Sequence, residues 1–173
     1  MIKVLFFSFV FFLNSLCGKA QFDTSFARQN IRRCADSLTQ AFKAKDWEKF
    51  TRYSYPAMIG AMGGKKEFIR QVSQIFSQVP DTAWKKYEKG KILQVLKTDS
   101  ELEALIELYA VVEWQGTRLS STSCLIATSW DGGLFWTFFD SQGNVNAAKA
   151  IKPDLSNKLV IPEKNEKTEL LNK

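Results

Sequence analysis

The hydrophobic period of this chain changes once, at Pro80-Asp81: apolar side chains recur every three or four residues before that point and every second residue after it. Two periods segregated along a chain, not interleaved, specify an α+β domain, because parallel strands would need a helical crossover between each pair. In the first half, Ala27, Ile31, Cys34, Leu38, Ala41 and Phe42 form one helical stripe that ends near Lys45. Asp46 reads as the N-cap of a short second helix that turns Trp47, Phe50 and Tyr53 inward and stops at Pro56. The stretch Y-P-A-M-I-G-A-M-G-G then bends the chain at Gly60, Gly63 and Gly64. A third helix, Lys65 to Val79, presents Phe68, Ile69, Val72, Ile75, Phe76 and Val79 on one face.

The second half reads as a meander of four strands: Ala83 to Thr98 with a break near Gly90, Leu102 to Trp114, Thr117 to Trp130, and Leu134 to Asp140. The second strand alternates without interruption. Leu102, Ala104, Ile106, Leu108, Ala110, Val112 and Trp114 share one face, and Glu101, Glu103, Glu107 and Glu113 the other, so one face is predicted to be core and the other partly wet. Lys85, Lys86, Lys89 and Lys91 on the preceding strand offer those glutamates cross-strand partners. Residues 152–173 form a tail with a short apolar anchor at Leu159 to Ile161, and beyond Pro162 it is expected to be frayed or weakly helical.

The first twenty residues carry Lys3, an apolar run from Val4 to Leu13, and the small residues Gly18 and Ala20, the pattern of an export leader cut after Ala20. Cys17 is the place where a lipoprotein would be acylated, but Leu16 precedes it where that signal asks for a small side chain. The organisation expected is a leader at 1–20, one domain at 21–150 and a tail at 151–173, soluble in the periplasm or outside the cell, with no transmembrane segment in the mature chain. Removal of Lys3 and Lys19 with the leader lowers the net charge from +6 by two, to +4. Basic residues are spread among the acids and do not alternate with aromatics, so nucleic acid is not expected as a partner. Cys34 on the helical stripe and Cys124 in a strand are either a disulfide, which an oxidising compartment permits, or two separate buried thiols.

Residues 129–136, S-W-D-G-G-L-F-W, fit S-x-D-x-G-x-x-W through Ser129, Asp131, Gly133 and Trp136, and so resemble the Asp-box of sialidase propellers. Each of those residues has a structural role there, and Asp-Gly-Gly between alternating strands is a hairpin signal by itself, so the motif reads as a turn. A propeller would need several copies, and one is present. Three helices followed by a four- to five-stranded antiparallel sheet resemble, over about residues 25–150, the cone-shaped α+β fold of nuclear transport factor 2 and ketosteroid isomerase, the cystatin-like architecture. Residues 55–69 (Y-P-A-M-I-G-A-M-G-G-K-K-E-F-I) and 121–140 (S-T-S-C-L-I-A-T-S-W-D-G-G-L-F-W-T-F-F-D) resemble a group of exported bacterial proteins with such a domain. That resemblance implies a fold and an export route, and no catalytic residue.

Histidine is absent, which removes Ser-His-Asp, Cys-His and histidine-metal chemistry, and no residue pattern asks for a cofactor or metal. Among the acids, Asp140 is the candidate for catalysis, because it ends an aromatic strand on the face of Leu134, Trp136 and Phe138. Phe50, Tyr53, Trp114, Trp136 and Phe138 are the aromatics expected between helices and sheet, either filling a solid core, the state expected, or lining a site for a small apolar ligand. Leu105, Tyr109 and Val111 would leave apolar patches on the outer sheet face, where a second copy could pair. The expected function is thus a non-enzymatic exported domain that binds a small apolar ligand or a protein partner. The alternatives are a small isomerase or dehydratase working through a pocket carboxylate, and a structural envelope protein. An ionisable group with shifted titration inside a cavity would favour the enzyme.

Overall fold

The computed structural model describes residues 24–171, and the leader, with Cys17, lies outside the described residues. Helix α1, Thr24–Lys43, buries Ala27, Ile31, Cys34, Leu38, Ala41 and Phe42 along the predicted stripe, and Ala35 beside it. Asp46 caps α2, Trp47–Tyr53, by accepting the Lys49 amide at 2.9 Å. The bend expected at Tyr55 to Gly64 is instead a further short helix, α3, Pro56–Ala61, which starts with proline at its first position, where a missing N–H costs nothing. Helix α4, Lys65–Ser77, buries Phe68 and Val72.

The strands are β1 (Trp84–Lys97), β2 (Leu102–Trp114), β3 (Thr117–Ser129) and β4 (Thr137–Asp140), followed by α5 (Val145–Ile151) and β5 (Asn165–Leu170). All pairings are antiparallel, in the order β1-β2-β3-β4. The fifth strand shares β3 with β4: β4 pairs Leu125 to Thr128 and β5 pairs Thr117 to Thr122. The tail expected to fray is therefore part of the sheet. The sheet does not close into a barrel, and β1 remains an edge.

Strand β1 carries register shifts at Trp84/Lys86 and between Lys89 and Ile92. At the second, a Cβ on Gly90 would stand 2.5 Å from the Tyr109 ring and 2.7 Å from the Glu107 carboxylate, so only glycine fits. Glu107 uses the space to accept the Lys91 amide at 2.9 Å and the Tyr109 hydroxyl at 2.6 Å.

Two apolar cores lie on opposite faces of the sheet. On the helix side, Ile31, Cys34 and Leu38 of α1 pack on Leu102, Ala104, Ile106, Leu125, Trp136 and Phe138. On the outer side, Leu105, Cys124, Ile126 and Phe139 lie beneath Ala148 of α5 and Leu155 and Leu159 of the following segment. The outer face is thus largely covered by the chain itself. Leu105, expected in an exposed patch, is fully buried, while Tyr109 and Val111 are half-buried. Glu101 and Glu103, expected on a wet face, are buried there too, paired with Lys152 from the end of α5, because the covering segment brings its own cation. Of the expected lysine partners, Lys85 reaches Glu113 at 3.7 Å and Lys89 turns to Asp36 of α1 at 2.8 Å. No helix among the described residues is long and apolar enough to cross a membrane.

Candidate functional site

A cavity of about 350 Å³ lies between the helices and the middle of the sheet. It follows from side-chain size. Ala110 of β2 pairs with Ser121 of β3, and Ser123 lies two residues on, so the middle of the helix-facing floor carries three small side chains side by side. The walls around them are large. Phe50 of α2, Met58 of α3, and Phe68, Val72 and Phe76 of α4 form the roof, and Trp84 and Tyr87 of β1 one side. The solid core expected from the sequence is therefore incomplete at this place.

The aromatic side is rigidly packed. Tyr87 stacks on Phe42 with ring centroids 3.9 Å apart, and Phe42 meets Phe76 and Trp84 edge-on at 4.7 and 4.9 Å. Burial, and secondarily the negative charge of Asp140, push the Tyr87 phenol well above its ordinary value. Trp84 and Tyr87 are three residues apart and would face opposite ways in a regular strand, but the register shift after Trp84 turns both inward.

Asp140 ends β4 at the opposite side of the cavity. Its carboxylate accepts the Ser123 hydroxyl at 2.9 Å, the Gln142 amide N–H at 2.7 Å and the Gln142 side-chain amide at 2.6 Å. Burial pushes its pKa up, against those hydrogen bonds and the more distant charge of Lys164, which pull it down. Strand β4 stops at Leu125 and β5 begins at Thr122, so Asp140 stands beside the two residues of β3 that neither strand pairs. A broader surface hollow near Asp46, Lys49 and Arg52 is lined mainly by exposed polar residues, where Lys65 pairs with Glu48 at 2.5 Å.

Of the five aromatics named from the sequence, Phe50 and Phe138 line the cavity. Trp136 is fully buried in the α1 core and donates to the Gly133 carbonyl at 3.0 Å, and Tyr53 stacks on Phe135 at 5.3 Å. Trp114, expected inside, is 42% exposed, because it sits at the last position of β2, beyond the reach of the helices. In the octapeptide, Asp131 accepts the Ser129 hydroxyl at 2.8 Å and the Leu134 and Phe135 amides at 3.0 Å, while Ser129 accepts the Gly133 amide. These residues tie the β3–β4 loop to itself and do not reach the cavity. Cys34 and Cys124 are buried free thiols in the two cores on opposite sides of the sheet.

The sequence did mark the site indirectly. Phe68, Val72 and Phe76 are on the predicted inner stripe of α4, and Ser121 and Ser123 stand between Leu119 and Leu125 on one face of β3, a polar interruption on a core-facing row. Comparison with protein-family models, with curated proteins and with solved structures gives no match.

Proposed function

We propose that the protein binds a small, largely apolar molecule in the cavity between its helices and its sheet, within a domain of the cone-shaped α+β type and after export directed by residues 1–20. The observation that carries this is the juxtaposition of three small floor residues, Ala110, Ser121 and Ser123, with a roof of aromatics and methionines around about 350 Å³. That volume is at the low end of small-molecule sites, which run from roughly 300 to 1,000 Å³. Apolar surface taken out of water contributes roughly 25 cal/mol per Å², so an apolar molecule seated against these side chains is stabilised. The test is a neutral fluorescent probe, N-phenyl-1-naphthylamine. The protein should bind it saturably, and Ala110→Phe, which places a ring on the cavity floor, should abolish binding with the circular dichroism unchanged. Equal binding by both proteins would sink the reading.

Proton-transfer catalysis of an isomerase or dehydratase kind is the second reading. It is favoured by Asp140, a wall carboxylate whose burial makes it more basic. Binding stands first because three hydrogen bonds already stabilise the charged form of that carboxylate and oppose the gain in basicity. Association of two copies through Tyr109 and Val111 is a further proposal, on an outer face reduced by the chain's own covering segment.

A further inference from the structure

Among the described residues lining the cavity, Asp140 is the one charged side chain, and no lysine or arginine stands with it. Its three hydrogen-bond donors, from Ser123 and Gln142, are neutral, and they orient the carboxylate without cancelling its charge. A carboxylate offers about four acceptor positions, so one remains. Lys164, whose charge acts on Asp140, is paired with Glu166 at 2.5 Å and is not part of the wall. Across the cavity stand Tyr87, Trp84, Phe76 and Phe50, an aromatic wall suited to an apolar body.

An anion entering this space would meet the Asp140 carboxylate, with no positive side chain in the wall to compensate. A neutral apolar molecule would satisfy the rings and leave the carboxylate unmatched. A cation with an apolar body satisfies both. We propose that the ligand of this cavity is a lipophilic amine, held as its ammonium ion at Asp140 with its apolar body against the aromatic wall. This rests on the binding reading above and adds the charge of the ligand to it. Burial raises the Asp140 pKa by desolvating its charged form, a cost that a cation seated beside it would offset.

Octylamine, octanol and octanoate share one chain and differ in the charge of the head group, so their displacement of N-phenyl-1-naphthylamine from the purified full chain at pH 7.5 isolates charge. Octylamine should displace the probe at concentrations about tenfold lower than octanol, the ratio expected of one charge-assisted hydrogen bond, with octanoate the weakest. In Asp140→Asn the ratio of octylamine to octanol should fall to within about twofold of one. Equal potency of amine and alcohol in the wild-type chain would overturn the proposal and leave apolar binding standing, and this comparison needs no variant to fold. Persistence of the preference in Asp140→Asn would overturn it as well, by placing the ammonium elsewhere. Failure of the probe to bind at all would overturn both readings together.

Discussion

The two faces of the sheet treat buried charge in opposite ways. On the outer face, Lys152, 1% exposed at its side chain, is paired with Glu101, with Glu103 at 3.5 Å and with Asp154 at 2.8 Å, and the Ser156 amide adds a hydrogen bond to Glu103 at 3.1 Å. On the helix face, Asp140 has neutral donors and a cavity. The difference separates two uses of a carboxylate. One matched to a cation within the chain fastens a segment to the sheet, and its interaction energy is spent in folding. One left without a cation keeps part of that energy for a molecule from outside.

The largest effect expected from breaking this contrast is on the outer face. Lys152→Met leaves Glu101 and Glu103 buried without their cation, and removal of one partner of a buried pair costs about 3 to 5 kcal/mol. Urea unfolding should show that loss as a lower midpoint. The triple variant Lys152→Met, Glu101→Gln, Glu103→Gln removes the charges together and should recover most of it. A loss below about 1 kcal/mol in the single variant would mean that the network is solvated and that the two faces do not differ as described.

Next in size is the point where the covering segment leaves and rejoins the sheet. Gly143 has φ +71°, and a Cβ there would lie 2.3 Å from the Lys164 backbone nitrogen. Gly143→Ala combines an unfavourable backbone conformation with a backbone clash, together about 2 to 3 kcal/mol. Because Lys164 immediately precedes β5, hydrogen exchange in that variant should rise first at residues 165–170 and in β3 from Thr117 to Thr122, with α1 protected longest. Uniform loss of protection would show that the outer segment does not open separately.

That junction also marks where the sequence stopped being legible. The period change at Pro80-Asp81, the α1 stripe and the alternation of β2 are local signals, and each corresponds to an element found there. Strand β5, N-E-K-T-E-L, has no apolar alternation because both its faces are mostly exposed, and it is held by backbone pairing with β3, a long-range contact invisible to a local pattern. The burial of Glu101 and Glu103 depends on Lys152, some fifty residues away, so the strand itself reads as half wet. In the site, Asp140, Phe50 and Phe138 were recoverable from the period of their own elements. Tyr87 and Trp84 were not, since a register shift breaks the period that would have assigned their face.

On the helix face the smaller prediction concerns pH. The Asp140 pKa is raised by burial, so the folded chain holds that proton more tightly than the unfolded chain. Above the ordinary aspartate value of 3.8 the folded state therefore carries more protons, and stability falls as pH rises through the folded pKa. Asp140→Asn has nothing to titrate there. Its melting temperature relative to wild type should climb between pH 3.5 and 8, reaching an advantage on the order of 1 kcal/mol or less. Asp131 and Asp154, whose pKa values are lowered, act with the opposite sign but remain in both proteins and cancel in the difference. A difference that shrinks with rising pH would reveal a cation beside Asp140 and remove the contrast between the faces.

The smallest expected effect is a null result with a sharp alternative. Cys34 belongs to the α1 core and Cys124 to the outer core, with the sheet between them, whereas a disulfide requires Cα atoms within about 7 Å. Reductant should therefore leave the melting temperature unchanged, and both thiols should react slowly with a disulfide reagent until the protein unfolds, Cys124 the more so because burial pushes its pKa up to about 11. A fall in melting temperature on reduction would mean that Cys124 faces α1. That requires β3 to slip by one residue, which would send Ser121 and Ser123 to the outer face and bring Ser120 and Thr122 to the helices. Asp140 would then lose its Ser123 partner and the cavity two of its small floor residues, so a thiol measurement on the other face of the same strand tests the floor of the site.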